Sequence, residues 1–197
     1  WEGAVLVDQA FVQYEPEYGA PSPFRTVVRI GQTETALYVA FEAYDPEIAR
    51  ISAARTQRDG SLGRDDSVAV LFDTFFDQRT AYLFRTNALA TQQDGRIANN
   101  GRTVDTRWDS AWRSAATRMD DRWIAEFEIP MSVLKFPTDA DGSWGINFIR
   151  TVPRRFETSL WSGPSEAVYR VSGFGQLHGL NVQAQVDALQ FIPYTLA

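Results

Sequence analysis

From Arg64 to Asn87 the chain runs RDDSVAVLFDTFFDQRTAYLFRTN, and this stretch restricts the fold more than any other. Val68, Val70 and Phe72 alternate with Ala69, Leu71 and Asp73; past an acidic, aromatic turn, Tyr82 and Phe84 alternate with Leu83, Arg85 and Asn87. A period of two is that of a strand, whose successive side chains point to opposite faces. Two strands joined by a turn are therefore expected here. The same period sets Arg85 and Asn87 side by side on one face, a place for a ligand or for a buried ion pair.

The remaining segments repeat this pattern. Residues 4–14 and 24–30 are expected strands, separated by EPEYGAPSP, whose prolines and glycine mark a surface loop. In TALYVAFEAYDP, Leu37, Val39, Phe41 and Ala43 share one face and Tyr38, Ala40, Glu42 and Tyr44 the other. WIAEFEIP divides in the same way, with Trp123, Ala125, Phe127 and Ile129 opposed to Ile124, Glu126 and Glu128, the signature of a half-buried antiparallel strand. Asp94-Gly95 and Asn99-Asn100-Gly101 are expected to close hairpins, because these residues accept positive φ. Strands over 103–108 and 112–118 follow, then WGINFIRTV, TSLWS, GFGQLHGL and VDALQFIPY; SVLKFP has room for one helical turn. About a dozen short strands with almost no helical period favour an all-β sandwich or barrel.

The 197 residues suit one well-buried domain. Without cysteine there is neither a disulfide framework nor a thiolate metal site, and His178 alone cannot make a multi-histidine zinc site or a two-histidine haem site. A net charge of −6 argues against a nucleic-acid partner, which usually meets a basic face. No apolar run approaches the ~20 residues that cross a bilayer as a helix. A chain that starts at Trp1, with neither methionine nor leader, is expected to be the mature or trimmed part of something longer. Six tryptophans and 13% aromatics exceed what a core alone usually asks for, so some rings are expected to face solvent or a ligand.

The ordered phrases TALYVAFEAYDP, DDSVAVLFD, FRTN, RWIAEFEIP, WGINFIR, LWSGP and FGQL resemble the family 9 carbohydrate-binding modules over residues 1 to 180. DTFFDQRTAYLFRTN, RWDSAW and LKFPTDADGSWGINFIRTVPRRFETSLW are similar to a narrower group, the family-9-like domains that open long bacterial proteins ending in an outer-membrane-type β-barrel. The resemblance implies an antiparallel β-sandwich of the jelly-roll type over 1–181, with 182–197 as linker or first strand of a following barrel. It also implies a non-catalytic module, exported to the outer membrane, periplasm or cell surface of a Gram-negative bacterium, with a carbohydrate or its own barrel as partner.

Sugar-binding members of the family hold a terminal sugar between two tryptophans, with an arginine and an asparagine on one strand and a glutamate on the next. Carried over, the arginine and asparagine match Arg85 and Asn87, whose guanidinium and amide suit adjacent hydroxyls. The glutamate falls on Ala69, the first tryptophan at or near Gly63, and the second near Tyr169. The alternative is that Arg85 pairs with Asp73 or Glu126 while Asn87 supports a turn. Trp108 and Trp112 are either a stacking platform or core packing, and Trp123 and Trp144 are structural. The family can carry structural calcium, no other cofactor being expected; Asp66, Asp73 and Asp77 are the favoured ligands, with Asp65 beside them and Asp139 and Asp141 in DADG as a weaker fragment of a calcium loop. Hydrolysis would need two carboxylates across a cleft; Glu126 and Glu128 share a face ~7 Å apart, with no aromatic cleft foreseen beside them.

Overall fold

The computed structural model describes residues 1–137 and 142–181. The expected linker or barrel strand at 182–197, and the DADG residues Asp139 and Asp141, lie outside them. Within the described residues thirteen strands form two antiparallel sheets packed face to face, the expected β-sandwich.

The smaller sheet has the order β1-β3-β4-β10-β9, with β1 Val5–Val7, β3 Thr26–Gln32, β4 Ala36–Tyr44, β9 Arg113–Arg118 and β10 Arg122–Pro130. Its centre is the pairing of β4 with β10 from Ala36 opposite Pro130 to Tyr44 opposite Arg122. This register sets the apolar alternations of both strands on one face: Leu37, Val39, Phe41 and Ala43 with Ile129, Phe127, Ala125 and Trp123, all buried. The other face carries Tyr38, Glu42, Glu126 and Glu128 to the outside.

The larger sheet has the order β2-β12-β11-β5-β6-β7-β8. Its members are β2 Val12–Glu15, β5 Ser67–Asp73, β6 Ala81–Asn87, β7 Gln92–Ala98, β8 Thr103–Asp105, β11 Trp144–Val152 and β12 Glu157–Leu160, with β13 Gly175–Leu177 paired to the start of β11. Every residue of β5 is buried, because both faces of this sheet are covered. Val68, Val70, Phe72, Tyr82, Phe84, Ile146 and Phe148 meet the smaller sheet. On the outer side Ala69, Leu71, Leu83, Ile97, Ile149 and Leu160 form a second cluster with Val168, Tyr169, Val171 and Phe174. The segment carrying those four residues crosses close above the Asn99–Gly101 turn: a Cβ on Gly101, whose φ is +89, would run into the Tyr169 carbonyl.

Two expectations are corrected. The run 4–14 is not one strand: β1 joins the smaller sheet and β2 the larger, so the chain changes layer between Val7 and Val12. Asp94-Gly95 is not a turn but lies inside β7, and the β6–β7 hairpin closes two residues before that strand, with Ala90 at φ 61. Asn99-Asn100-Gly101 does turn the chain, at φ 54, 57 and 89.

One end of the sandwich holds a buried ion network. Arg150, 1% exposed, donates to the carbonyls of Arg25 (3.0 Å) and Tyr44 (2.7 Å) and to the Thr26 hydroxyl (3.0 Å). Burial pulls its pKa down to about 10. Arg154 beside it donates from Nη2 to both oxygens of Asp45, at 2.7 Å each.

Candidate functional site

Arg85 and Asn87 do share a face, the outer face of the larger sheet, since Tyr82 and Phe84, in the opposite phase of the same strand, point into the core. Their fates differ. Asn87 is fully buried and spent: its Nδ2 donates to the Arg55 carbonyl (2.9 Å) and to Asp65 Oδ2 (2.8 Å), and its Oδ1 accepts from the backbone of Leu89 (3.0 Å) and Thr91 (2.9 Å). It thereby shapes the β6–β7 hairpin and fastens the segment leading from Arg55 to Asp65. Its expected role as a ligand group is corrected, because every polar atom of the amide already faces a partner.

Arg85 is partly exposed, and its guanidinium has no ion pair or hydrogen bond among the described residues; its Nε is buried without a partner. The alternative ion pair with Asp73 or Glu126 does not form. Arg85 stands opposite Ala69, four residues along β5 from Asp73 and so roughly 13 Å away along the strand. Glu126 belongs to the other sheet. Ser67, opposite Asn87 and therefore on the same face as Arg85, also has a buried Oγ with no partner. The Ser67 hydroxyl is closed off from solvent, but the partly exposed Arg85 guanidinium can take up hydroxyls or an oxyanion.

The aromatic candidates separate in the same way. Trp112 is 4% exposed, stacked on Phe127 at 5.4 Å with an interplanar angle of 4° and edge-on to Phe84. Trp108 packs against Tyr82 at 5.2 Å and Phe84 at 6.0 Å. Of the two readings of this pair, core packing holds and the ligand-stacking platform is corrected: both rings face inward against the aromatic residues of β6. Tyr169 is half-buried on the outer side of the larger sheet, the side of Arg85. Trp123 and Trp144 are buried core residues, as expected.

Asp66, Asp73 and Asp77 do not fit a single calcium ion. Asp66 and Asp73 stand at opposite ends of β5, roughly 23 Å apart along an extended strand. Each is used by the backbone. Asp66 accepts from Ser52 N–H at 2.8 Å, and Asp73 accepts from Gln78 and Asp77 N–H at 2.8 and 3.2 Å. Burial pushes both carboxyls up, against those hydrogen bonds. Asp77 caps its own turn through the N–H groups of Arg79 and Thr80 and the Thr80 hydroxyl. Burial raises its carboxyl, but the Thr80 and Arg79 bonds prevail and hold it low.

The acidic triplet that does converge is Asp59, Asp94 and Asp109. Its centre is taken by the Arg58 guanidinium, whose Nη2 meets Asp94 and Asp109 at 2.8 Å each and the Ser110 carbonyl at 2.7 Å. A cation of the protein's own stands where a metal would. The sequence hid this cluster, because Asp94 is written in a turn-like Asp-Gly pair and its partners come from separate loops.

Comparison with known proteins agrees with the fold. No family model matches the sequence, and no curated protein does. Among solved structures, a Bacteroides uniformis protein to which carbohydrate binding has been attributed superposes with a TM-score of 0.71 at 15% identity, over 90% of this chain and 87% of that one. A family 9 carbohydrate-binding module from Caldicellulosiruptor kristjanssonii, in complex with cellotriose, gives a TM-score of 0.64 at 18% identity over 98% and 90% of the two chains. The glucose complex of a family 9 module from that organism gives 0.65 at 18% identity over 95% and 90%. At these identities the likeness is one of fold.

Proposed function

We propose that this chain, which has the fold of the family 9 carbohydrate-binding modules and, among the described residues, an unspent arginine on the outer face of its larger sheet, is a non-catalytic carbohydrate-binding module of a larger, exported, outer-membrane-associated protein, and that its ligand lies over Arg85. The observation that carries this reading is the Arg85 guanidinium, unpaired among the described residues. Solved structures of this fold hold cellotriose and glucose, which makes a sugar hydroxyl the natural occupant.

The grip is weak. Asn87 is spent, Ala69 offers no acceptor, and Tyr169, one of the half-buried aromatic rings packed on this side, stands near where the family has a tryptophan. A few hydrogen bonds from a charged donor, at about 1.5–3 kcal/mol each before the cost of association, correspond to a dissociation constant in about the millimolar range. Glu126 and Glu128, the pair that hydrolysis would require, lie on the opposite side of the sandwich. The test is a screen of neutral mono- and oligosaccharides by ligand-observed NMR, repeated with Arg85→Ala. Binding that disappears in the variant supports the reading; no binding by the wild type, or equal binding by both, refutes it.

A second reading is favoured by a different observation. Phe75 and Phe76, 46% and 38% exposed, form the tip of the β5–β6 turn. Asp73 pairs with Gly145, which pairs with Gln176, so this tip lies at the end of the sandwich where the chain runs on toward 182–197. Under this reading the domain docks by that end on its own barrel. Hydrogen exchange at 74–80 in the full-length protein should then be slower than in the isolated domain; equal exchange counts against docking.

A further inference from the structure

The outer face of the smaller sheet carries a groove of about 660 Å³, on the opposite side of the sandwich from Arg85. Its wall is the segment Trp1–Ala4, folded back by a hydrogen bond from Ala4 N–H to the Trp1 carbonyl at 3.2 Å. The Trp1 ring passes over Gly31, 3.9 Å from where a Cβ would sit, at van der Waals distance. The indole N–H donates to Glu126 Oε1 at 3.1 Å, which fixes the ring at the groove edge while it stays 49% exposed.

Strand register supplies the rest. Glu128 stands opposite Tyr38 on β4 and Arg113 on β9, and Glu126 stands between Ala40 and Ala115. The two carboxylates therefore project from one face, ~7 Å apart, with an aromatic ring beside each. The alanines flanking Glu126 leave it open to solvent. Arg113 meets Glu128 at 3.4 Å but is 83% exposed, a loose surface pair that a ligand can displace. Glu2, Glu126 and Glu128 against Arg113 leave the groove net negative.

We propose that this groove binds a hydroxyl-rich, cationic ligand, an oligosaccharide of amino sugars with free amines. The carboxylates accept from hydroxyl and ammonium groups, and the Trp1 and Tyr38 rings take the C–H faces of the sugar and attract its charge. The volume is within the range of small-molecule sites and holds more than one ring. The negative balance discriminates against acidic glycans. This site is independent of Arg85, so the two stand or fall separately.

The test uses a glucosamine trimer as probe at pH 6 and low salt, where its amines are protonated, with binding followed by calorimetry. Cellotriose and the fully N-acetylated trimer serve as uncharged comparisons. The expected result is binding of the glucosamine trimer at least tenfold tighter than either comparison, a fall of tenfold or more in Glu126→Gln and in Glu128→Gln, and no change in Arg85→Ala. Asp120→Asn, a charge change elsewhere on the surface, should leave binding within twofold. Absence of binding by the wild type overturns the proposal. So does an equal loss in Asp120→Asn, which would mark diffuse charge attraction, or equally tight binding of a lysine tripeptide, which would mark a site for any cation.

Discussion

Replacing Asn87 and Arg85 one at a time separates a structural amide from a free guanidinium on the same strand face. Asn87→Ala deletes four hydrogen bonds. The buried Thr91 N–H loses its side-chain acceptor, at about 1–3 kcal/mol, and Asp65 loses one donor to a buried carboxylate, at about 1.5–3 kcal/mol. The other two ends are cheaper. Leu89 is exposed and its N–H can turn to water, and the Arg55 carbonyl keeps its bond from the Thr91 hydroxyl at 2.5 Å. The sum is about 4 kcal/mol, or about 8–16 °C in Tm for a chain of this size. Arg85→Ala removes a partly exposed side chain that has no polar partner and should cost under about 1 kcal/mol. Asn87→Asp should be worse than Asn87→Ala, since it replaces the donor 2.8 Å from Asp65 Oδ2 with a second acidic group. Urea unfolding followed by tryptophan fluorescence measures all three. Asn87→Ala within 1 kcal/mol of wild type, or Arg85→Ala as damaging as Asn87→Ala, would refute the assignment of the two roles.

Other outcomes follow from the same geometry. Trp112→Ala should destabilise by about 3–5 kcal/mol, because it empties the space stacked on Phe127, whereas an unchanged urea midpoint would return Trp112 to the surface. Stability should rise slightly as pH falls from 7 toward the ordinary carboxylate range. Burial raises Asp66, Asp73, Asp94 and Glu157 in the folded state, so their contribution is complete below the unfolded pKa and is lost as pH rises through the folded one. Below the ordinary carboxylate values of 3.8 and 4.5 the trend should reverse, as Asp77 and Glu42, both held low, take up protons; a Tm that falls steadily from pH 7 downward would contradict this. Glu157→Gln should flatten the rising limb. Calcium or a chelator should move Tm by less than about 2 °C, since Arg58 already neutralises the Asp59, Asp94 and Asp109 cluster; binding of the usual kind at 100-fold excess would add about 2.7 kcal/mol.

The local period carried much of the fold. The alternations in β4, β5, β6 and β10 declare strands with one apolar face, and that periodicity does not depend on what lies across the sheet. The Asn99–Gly101 turn and the shared face of Arg85 and Asn87 were legible for the same reason. What the sequence left open depends on which distant residues are brought alongside. Asn87 is spent because Arg55 and Asp65, 32 and 22 residues away, return to its side, while among the described residues no acid returns to Arg85. Trp108 and Trp112 are open to both platform and core readings in the sequence, and Tyr82 and Phe84 of β6, packed against them, decide for the core. Asp94-Gly95 has the composition of a turn and becomes a strand because its neighbours pair with β6 on one side and β8 on the other. Glu126 and Glu128 have no aromatic residue in their own phase of the strand to mark a cleft, because the rings beside them come from Trp1 and Tyr38, roughly a hundred residues away in the chain. The sequence alone determined which residues alternate and which side they take; register and returning loops, which bring far-separated residues together, decided which polar groups stay free to bind.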